Sequence, residues 1–250
     1  MGNVQRSSDV FVNTMGSYSL KVGGQVQSGI PLSFFKIAVY ILLAVPGHVV
    51  SRDFIRYLLW PEVTDRDKAA ADLRQSLMRI RRVQDKFGFR LIESNVSSIY
   101  LVEDESVHWD LRDLLADMKS SGVNQPVRYS GELLADLPYS GSEFEDWLSE
   151  QRQALRSQVI EFLSLAIGIE HNTRPELRYD HARDLLRIDP CNEEAYRLLM
   201  IKAASNRDLA QLEYLYKKCE HYLETDLGIG VSLETRMLHK GLIKAMTLEN

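Results

Sequence analysis

Apolar and polar positions follow three different rhythms along this chain, and each predicts a different kind of element. In "YSLKVGGQVQSG", residues 18–29, two short β-type runs flank Gly23-Gly24. Glycine takes the positive φ that a tight turn demands, so the stretch predicts a hairpin. "PLSFFKIAVYILLAV" then opens with proline in its first turn and is apolar almost all round, which predicts a helix at the centre of a core. In "SRDFIRYLLW" the spacing of Ile55, Leu58 and Leu59 predicts a second helix, with Ser51 as N-cap and Pro61 as its stop. The third helix is "DKAAADLRQSLMRIRRVQDKF", closed by Gly88 at a C-cap position. After it, "FRLIES" and "SSIYLVE" lie on either side of a polar turn and predict a second hairpin.

The pattern changes in the second half. "HARDLLRIDPCNEEAYRLLMIKAASNRDLAQLEYLYKKCEHYLE" alternates helix-length apolar patterns with breaks at Asp189-Pro190 and Ser205-Asn206, as tetratricopeptide-like helix pairs do. Pro190 ends one helix, Asn192 can cap the next, and Glu193 and Glu194 suit its positive N-terminal end. One repeat unit is clear and its neighbours are degenerate. The expectation is a compact helical domain offering a groove or a dimerisation surface.

A length of 250 residues, 45% apolar and 26% charged, is that of a globular protein with room for two domains. The longest apolar run, Ile37 to Val45, falls far short of the about 20 residues of a membrane span, so no membrane role is expected. The N-terminus lacks the apolar core of a signal peptide, and Cys191 and Cys219 are too few for a disulfide framework, so a cytoplasmic location is expected. Charge is uneven. Residues 66–90 hold eight basic against three acidic side chains, a net +5, whereas residues 103–150 hold three against twelve, a net −9. Such a reversal predicts parts with different partners and a boundary near residues 103–108.

The third helix carries the functional argument. At about 100° per residue, Leu73, Leu77, Ile80 and Gln84 share one side, with Ala70 at its edge. The opposite side holds Lys68, Ala71, Asp72, Gln75, Met78, Arg79 and Arg82, and Arg74 and Arg81 lie on the flank. Gln75 and Arg79, one turn apart, can present an amide and a guanidinium to base edges while the flanking arginines neutralise phosphates. A merely solvated basic face is the competing reading of the same wheel.

Residues 30–102, with "VVSRDFIRYLLWPE", "AAADLRQSLMRIRRV" and the hairpin ending "SIYLVE", resemble the winged-helix DNA-binding domain of response regulators and of the antibiotic-regulatory, SARP-type activators. Residues 108–240, with "YSGELLADL", "EFEDWLSEQRQALR", "ARDLLRIDPCNEEAYRLLM" and "YLETDLGIGVSLETRML", resemble the bacterial transcriptional activator domain that follows it in those proteins. The resemblance implies a mainly α chain. Residues 1–16 would form a disordered tail, 17–103 a winged helix-turn-helix of α+β type, and 108–246 an all-α tetratricopeptide-like domain. It further implies a recognition helix over 67–87, with Lys68, Arg74, Gln75, Met78, Arg79, Arg81 and Arg82 at DNA, and a wing over 89–102 bringing Asn95 and Ser97. Two departures stand out: the wing lacks the glycine usual before the aromatic of its last strand, and Met78 takes a position that is often basic. The partners implied are double-stranded promoter DNA, RNA polymerase and a second copy of the chain, with no cofactor. Trp60 and Trp147 match family tryptophans and are read as packing anchors.

The remaining chemistry-bearing residues predict little. The six histidines are scattered without metal-ligand spacing and are expected in surface or cap roles. Cys219 lies on an apolar face and is read as a small core residue, and Cys191 as exposed. "EDESVHWD" lacks the regular oxygen spacing and glycine of a calcium loop and is read as a solvated acidic linker, with a shortened segment from Trp109 to Tyr129 behind it. No nucleophile, base and orienting group fall in one motif, so an enzyme is not expected. The competing function is a peptide-binding scaffold whose winged helix does not read DNA.

Overall fold

The computed structural model describes residues 9–61, 66–119, 129–137, 142–169 and 175–248. The chain forms two compact units, one of Met1–Ala116 with Arg128–Ala154 and the other of Asp117–Val127 with Leu155–Asn250.

The first unit opens with β1 (Val10–Asn13), β2 (Ser19–Val22) and β3 (Gln25–Val26). Gly23 and Gly24, at φ +58° and +80°, make the tight turn between β2 and β3. Helices α1 (Leu32–Ala44), α2 (Arg52–Leu59) and α3 (Arg66–Phe87) follow, with the short strand β4 (Val49–Ser51) leading into α2. Ser51 Oγ accepts from Phe54 N, which is the expected cap of α2. Gly88, at φ +72°, donates to Gln84 O and closes α3. β5 (Ile92–Ser94) and β6 (Ser98–Leu101) form the second hairpin, and β4 adds to it in the order β4-β6-β5. Phe34, Phe35, Ile37 and Ile41 of α1, Ile55 of α2, Ile80 of α3 and Phe89 fill the core between these elements.

Three expectations fail here, all for long-range reasons. Val10–Asn13 is not part of a disordered tail but a strand, antiparallel to β2 and parallel to β7 (Val107–Trp109) in a sheet ordered β3-β2-β1-β7. β7 lies inside the stretch read as a solvated acidic linker. Its Trp109 is fully buried and donates from Nε1 to Thr14 Oγ1 at 2.8 Å, and the Asp110 carboxylate accepts from the backbone amides of Thr14 and Met15 at 2.9 Å. Burial pushes the Asp110 carboxyl above its ordinary value despite those bonds. Asp110–Lys119 then forms α4, where a shortened linker had been expected.

The first unit also takes in residues well past the expected boundary. Met15 pairs with Leu133, and Leu134 N donates to Thr14 O at 2.7 Å. Gly131 approaches so closely that a Cβ on it would lie 3.0 Å from Gly16 Cα. The first turns of α5 (Glu143–Ile169) bury Phe144 and Leu148, and Trp147 packs 4.8 Å from the ring of Tyr40 on α1. Lys36 pairs with Glu145 at 3.3 Å, and Arg152 donates to Leu133 O at 2.7 Å. Trp60 and Trp147 are both half-buried.

In the second unit α6 (Pro175–Ile188), α7 (Glu193–Ser205), α8 (Leu209–Tyr222) and α9 (Leu233–Leu248) pack so that α7 touches the other three. The breaks fall where the pattern put them. Asn192 Oδ1 accepts from Ala195 N at 3.1 Å, and Asp208 caps α8 by accepting from Gln211 N at 2.9 Å. Glu193 accepts from Ser232 N and Oγ; burial raises its carboxyl, but these bonds, with Thr235 and Arg197, hold it below its usual value. Cys219 is a core residue whose thiol burial pushes up to about 12. Cys191 is half-buried rather than exposed, and His181 is fully buried rather than on the surface. No helix among the described residues is long and apolar enough to cross a membrane.

Candidate nucleic-acid interface

The site is built on α3. Ala69, Leu73, Leu77 and Ile80 are buried along one side, and Ser76 joins them with its hydroxyl bonded to that of Ser33 on α1. The far side is open to solvent: Lys68, Ala71, Gln75, Met78, Arg79 and Arg82 are all exposed, as are Arg74 and Arg81 on the flank. Asp72, which the wheel placed on that side, is half-buried. Among the described residues, Arg74, Arg79 and Arg82 make no ion pair, and Arg81 Nε lies 4.0 Å from Asp85, one turn along the same helix. Arg90 is different. Its guanidinium meets Asp85 at 2.5 Å and Glu93 at 3.2 Å, so its charge is largely compensated within the unit.

One buried side chain ties this helix to the hairpin behind it. Gln84 Nε2 donates to Ile92 O, and its Oε1 accepts from Leu91 N and Ile92 N, each at 2.9 Å. Three backbone groups of the chain entering β5 are thus satisfied by a residue of α3, which holds the hairpin in register with the exposed arginine face. The base of the hairpin is held from the other side by Asp104, which accepts from Arg90 N at 2.7 Å and from Ser106 Oγ at 2.6 Å. Burial raises the Asp104 carboxyl, but these bonds and Arg90 hold it below its usual value.

Asn95 and Ser97 are both exposed at the hairpin tip, near the expected interface. Asn95 Oδ1 is committed to the turn, accepting from Ser97 N at 3.0 Å and Ser98 N at 2.8 Å. This explains how the turn forms without the usual glycine: an asparagine side chain supplies acceptors for the turn amides. The outermost side chain of the tip is Val96, 93% exposed, which sequence reasoning passed over because a lone valine in a polar turn carries no periodic signal.

A second residue missed from sequence is Arg52, the first residue of α2. It borders a cleft of about 270 Å³ together with Arg74, Met78 and Arg81 of α3 and Glu93 and Ser94 of β5. Its Nε is buried and has no hydrogen-bond partner among the described residues. The only available sequence cue was its place directly after the cap residue Ser51. Among the described residues no cluster of three or more His, Cys, Asp or Glu side chains could hold a metal ion.

Residues 127–243 match the bacterial transcriptional activator domain. The sequence matches no curated protein. The fold is similar to that of Mycobacterium tuberculosis EmbR, solved in complex with a low affinity phosphopeptide, with a TM-score of 0.54 and 15% sequence identity. That likeness covers 95% of this chain, and the chain spans 66% of the length of the EmbR chain. Residues 127–243 are thus similar to the bacterial transcriptional activator domain, and the fold is similar to that of EmbR.

Proposed function

We propose that the chain activates transcription by docking α3 in the major groove of double-stranded promoter DNA. Gln75 and Arg79 read base edges, Lys68, Arg74, Arg81 and Arg82 neutralise phosphates, and Met78 offers an apolar contact between them. The wing places Asn95 and Ser97 beside the backbone, with the Asn95 amide nitrogen rather than its carbonyl turned to DNA. In this reading residues 17–103 read DNA and residues 108–246 pair protomers or contact RNA polymerase, without a cofactor and in the cytoplasm. The observation that carries it is the solvent-facing row of Arg74, Arg79 and Arg82, without ion-pair partners among the described residues, on a helix locked to its hairpin by Gln84. Arg79 and Arg82, one turn apart, repel each other, so their pairing on one face adds nothing to the helix's own stability.

The test is selection from a random duplex pool followed by binding of the selected site. Arg79→Ala is expected to lose about 1–3 kcal/mol on the selected sequence and little on random duplex. Equal losses on both would remove Arg79 from base reading. Failure of the pool to converge would favour a scaffold in which the winged helix meets protein.

A further inference from the structure

A groove of about 400 Å³ runs across α6, α7 and α8 of the second unit, and its chemistry runs against the sign of the chain. Arg183 and Arg187 of α6, Lys202 of α7 and Lys218 of α8 line it. Asp208 is the single carboxylate in the lining, and it is already occupied as the cap of α8. Four of the lining residues are thus cations and one is an engaged acid, in a protein of net charge −5.

Most of these cations have partners, but weak ones. Arg183 and Arg187 meet Asp180 and Asp184 of their own helix at 2.5 and 3.0 Å, and Lys202 meets the exposed Glu176 at 2.6 Å. Arg183 and Arg187 are exposed and each uses one guanidinium nitrogen in its pair, which leaves their other donors unused. Lys218 makes no ion pair among the described residues and lies 5.9 Å from the ring centroids of both Tyr214 and Tyr222.

The floor of the groove is largely apolar. Tyr196 lines the groove, is fully buried, and its hydroxyl has no hydrogen-bond partner among the described residues. Burial pushes that hydroxyl far above its ordinary pKa, so it remains a neutral donor. Leu199 and Leu215 complete an apolar floor, and Tyr214 stands exposed on the wall.

We infer that this groove binds a short acidic peptide segment whose carboxylates meet Arg183, Arg187, Lys202 and Lys218 while an apolar side chain rests on Tyr196, Leu199 and Leu215. Cations on three separate helices suit a chain with several spaced charges better than one small anion. Concave surfaces of stacked helix pairs take extended segments in this way. This site lies wholly in the second unit and stands whether or not α3 reads DNA.

The test uses the full chain and a fluorescein-labelled pool of nonapeptides with glutamate at alternate positions and mixed apolar residues between. A matched pool with lysine for glutamate is the control. Saturable anisotropy is expected with the acidic pool alone. The double variant Arg187→Glu, Lys218→Glu should weaken it by about tenfold or more, since like charges then face the ligand. Lys217→Glu, on α8 but outside the groove, should leave it unchanged, with circular dichroism checking that each variant is folded. No saturable binding of the acidic pool, equal binding of both pools, or an unaffected double variant would overturn the assignment. Displacement of the pool by millimolar inorganic phosphate or citrate at constant ionic strength would make this a small-anion site instead. If the double variant kept its peptide affinity and lost affinity for duplex DNA, the groove would belong to nucleic acid.

Discussion

Gln84 shows how much a single side chain can decide. Its amide satisfies three backbone groups at the start of β5, so its loss leaves buried donors and an acceptor without partners. Gln84→Leu keeps the volume and removes the bonds. Each group left unsatisfied costs about 1–3 kcal/mol, so urea unfolding should show a loss of at least that size. DNA affinity should fall with it, although Gln84 itself faces the core. An unchanged midpoint would mean that the hairpin holds its register without the helix. The wheel placed Gln84 on the core side, but its partners could not be read from the wheel, because they lie on a neighbouring element. The exposed face was legible: every residue proposed at DNA is on the surface, since 22 residues of amphipathic helix fix facing unambiguously.

At the scale of elements, the long helices and both hairpins followed from local pattern, whereas β1 and β7 did not. Val107-His108-Trp109 is too short to show alternation and sits among acids, and its partner Val10–Val12 lies near the other end of the unit. The pairing is nonetheless anchored strongly. Trp109→Ala should cost about 3–5 kcal/mol, since it opens a cavity under the sheet and removes the indole donor to the Thr14 hydroxyl. The wing's base carries a pH signature. Asp104 titrates below 3.8 in the folded protein, so its stabilisation is present above that value and is lost as pH falls through the folded pKa. Asp104→Asn should therefore lower Tm at neutral pH and flatten the loss of Tm on acidification below about pH 4. Asp110, pushed upward by burial, acts with the opposite sign, favouring the folded state below its raised pKa and opposing it above. A variant as acid-sensitive as the wild type would show that Asp104 is not what holds the wing in acid.

For the whole molecule, the charge reversal read from composition does not mark the boundary in space. The acidic stretch contributes β7, α4 and the first turns of α5, and much of it is built into the same compact unit as the basic helix. Three of its acids are engaged elsewhere in that unit: Asp104 with Arg90 and Ser106, Asp110 with Thr14 and Met15, and Glu145 with Lys36. The α3 arginines without ion pairs among the described residues thus coexist with a surplus of acid in the same unit.

The most direct measurement is fluorescence anisotropy of the full chain on promoter duplex, titrated at about 50 and 200 mM salt beside Arg79→Ala, Arg82→Ala. Log affinity should fall with log salt in the wild type. The double variant should bind far more weakly, with a slope shallower by about 0.9 for each phosphate contact removed. Equal affinities and equal slopes for the two proteins would contradict the claim that the exposed face of α3 binds DNA.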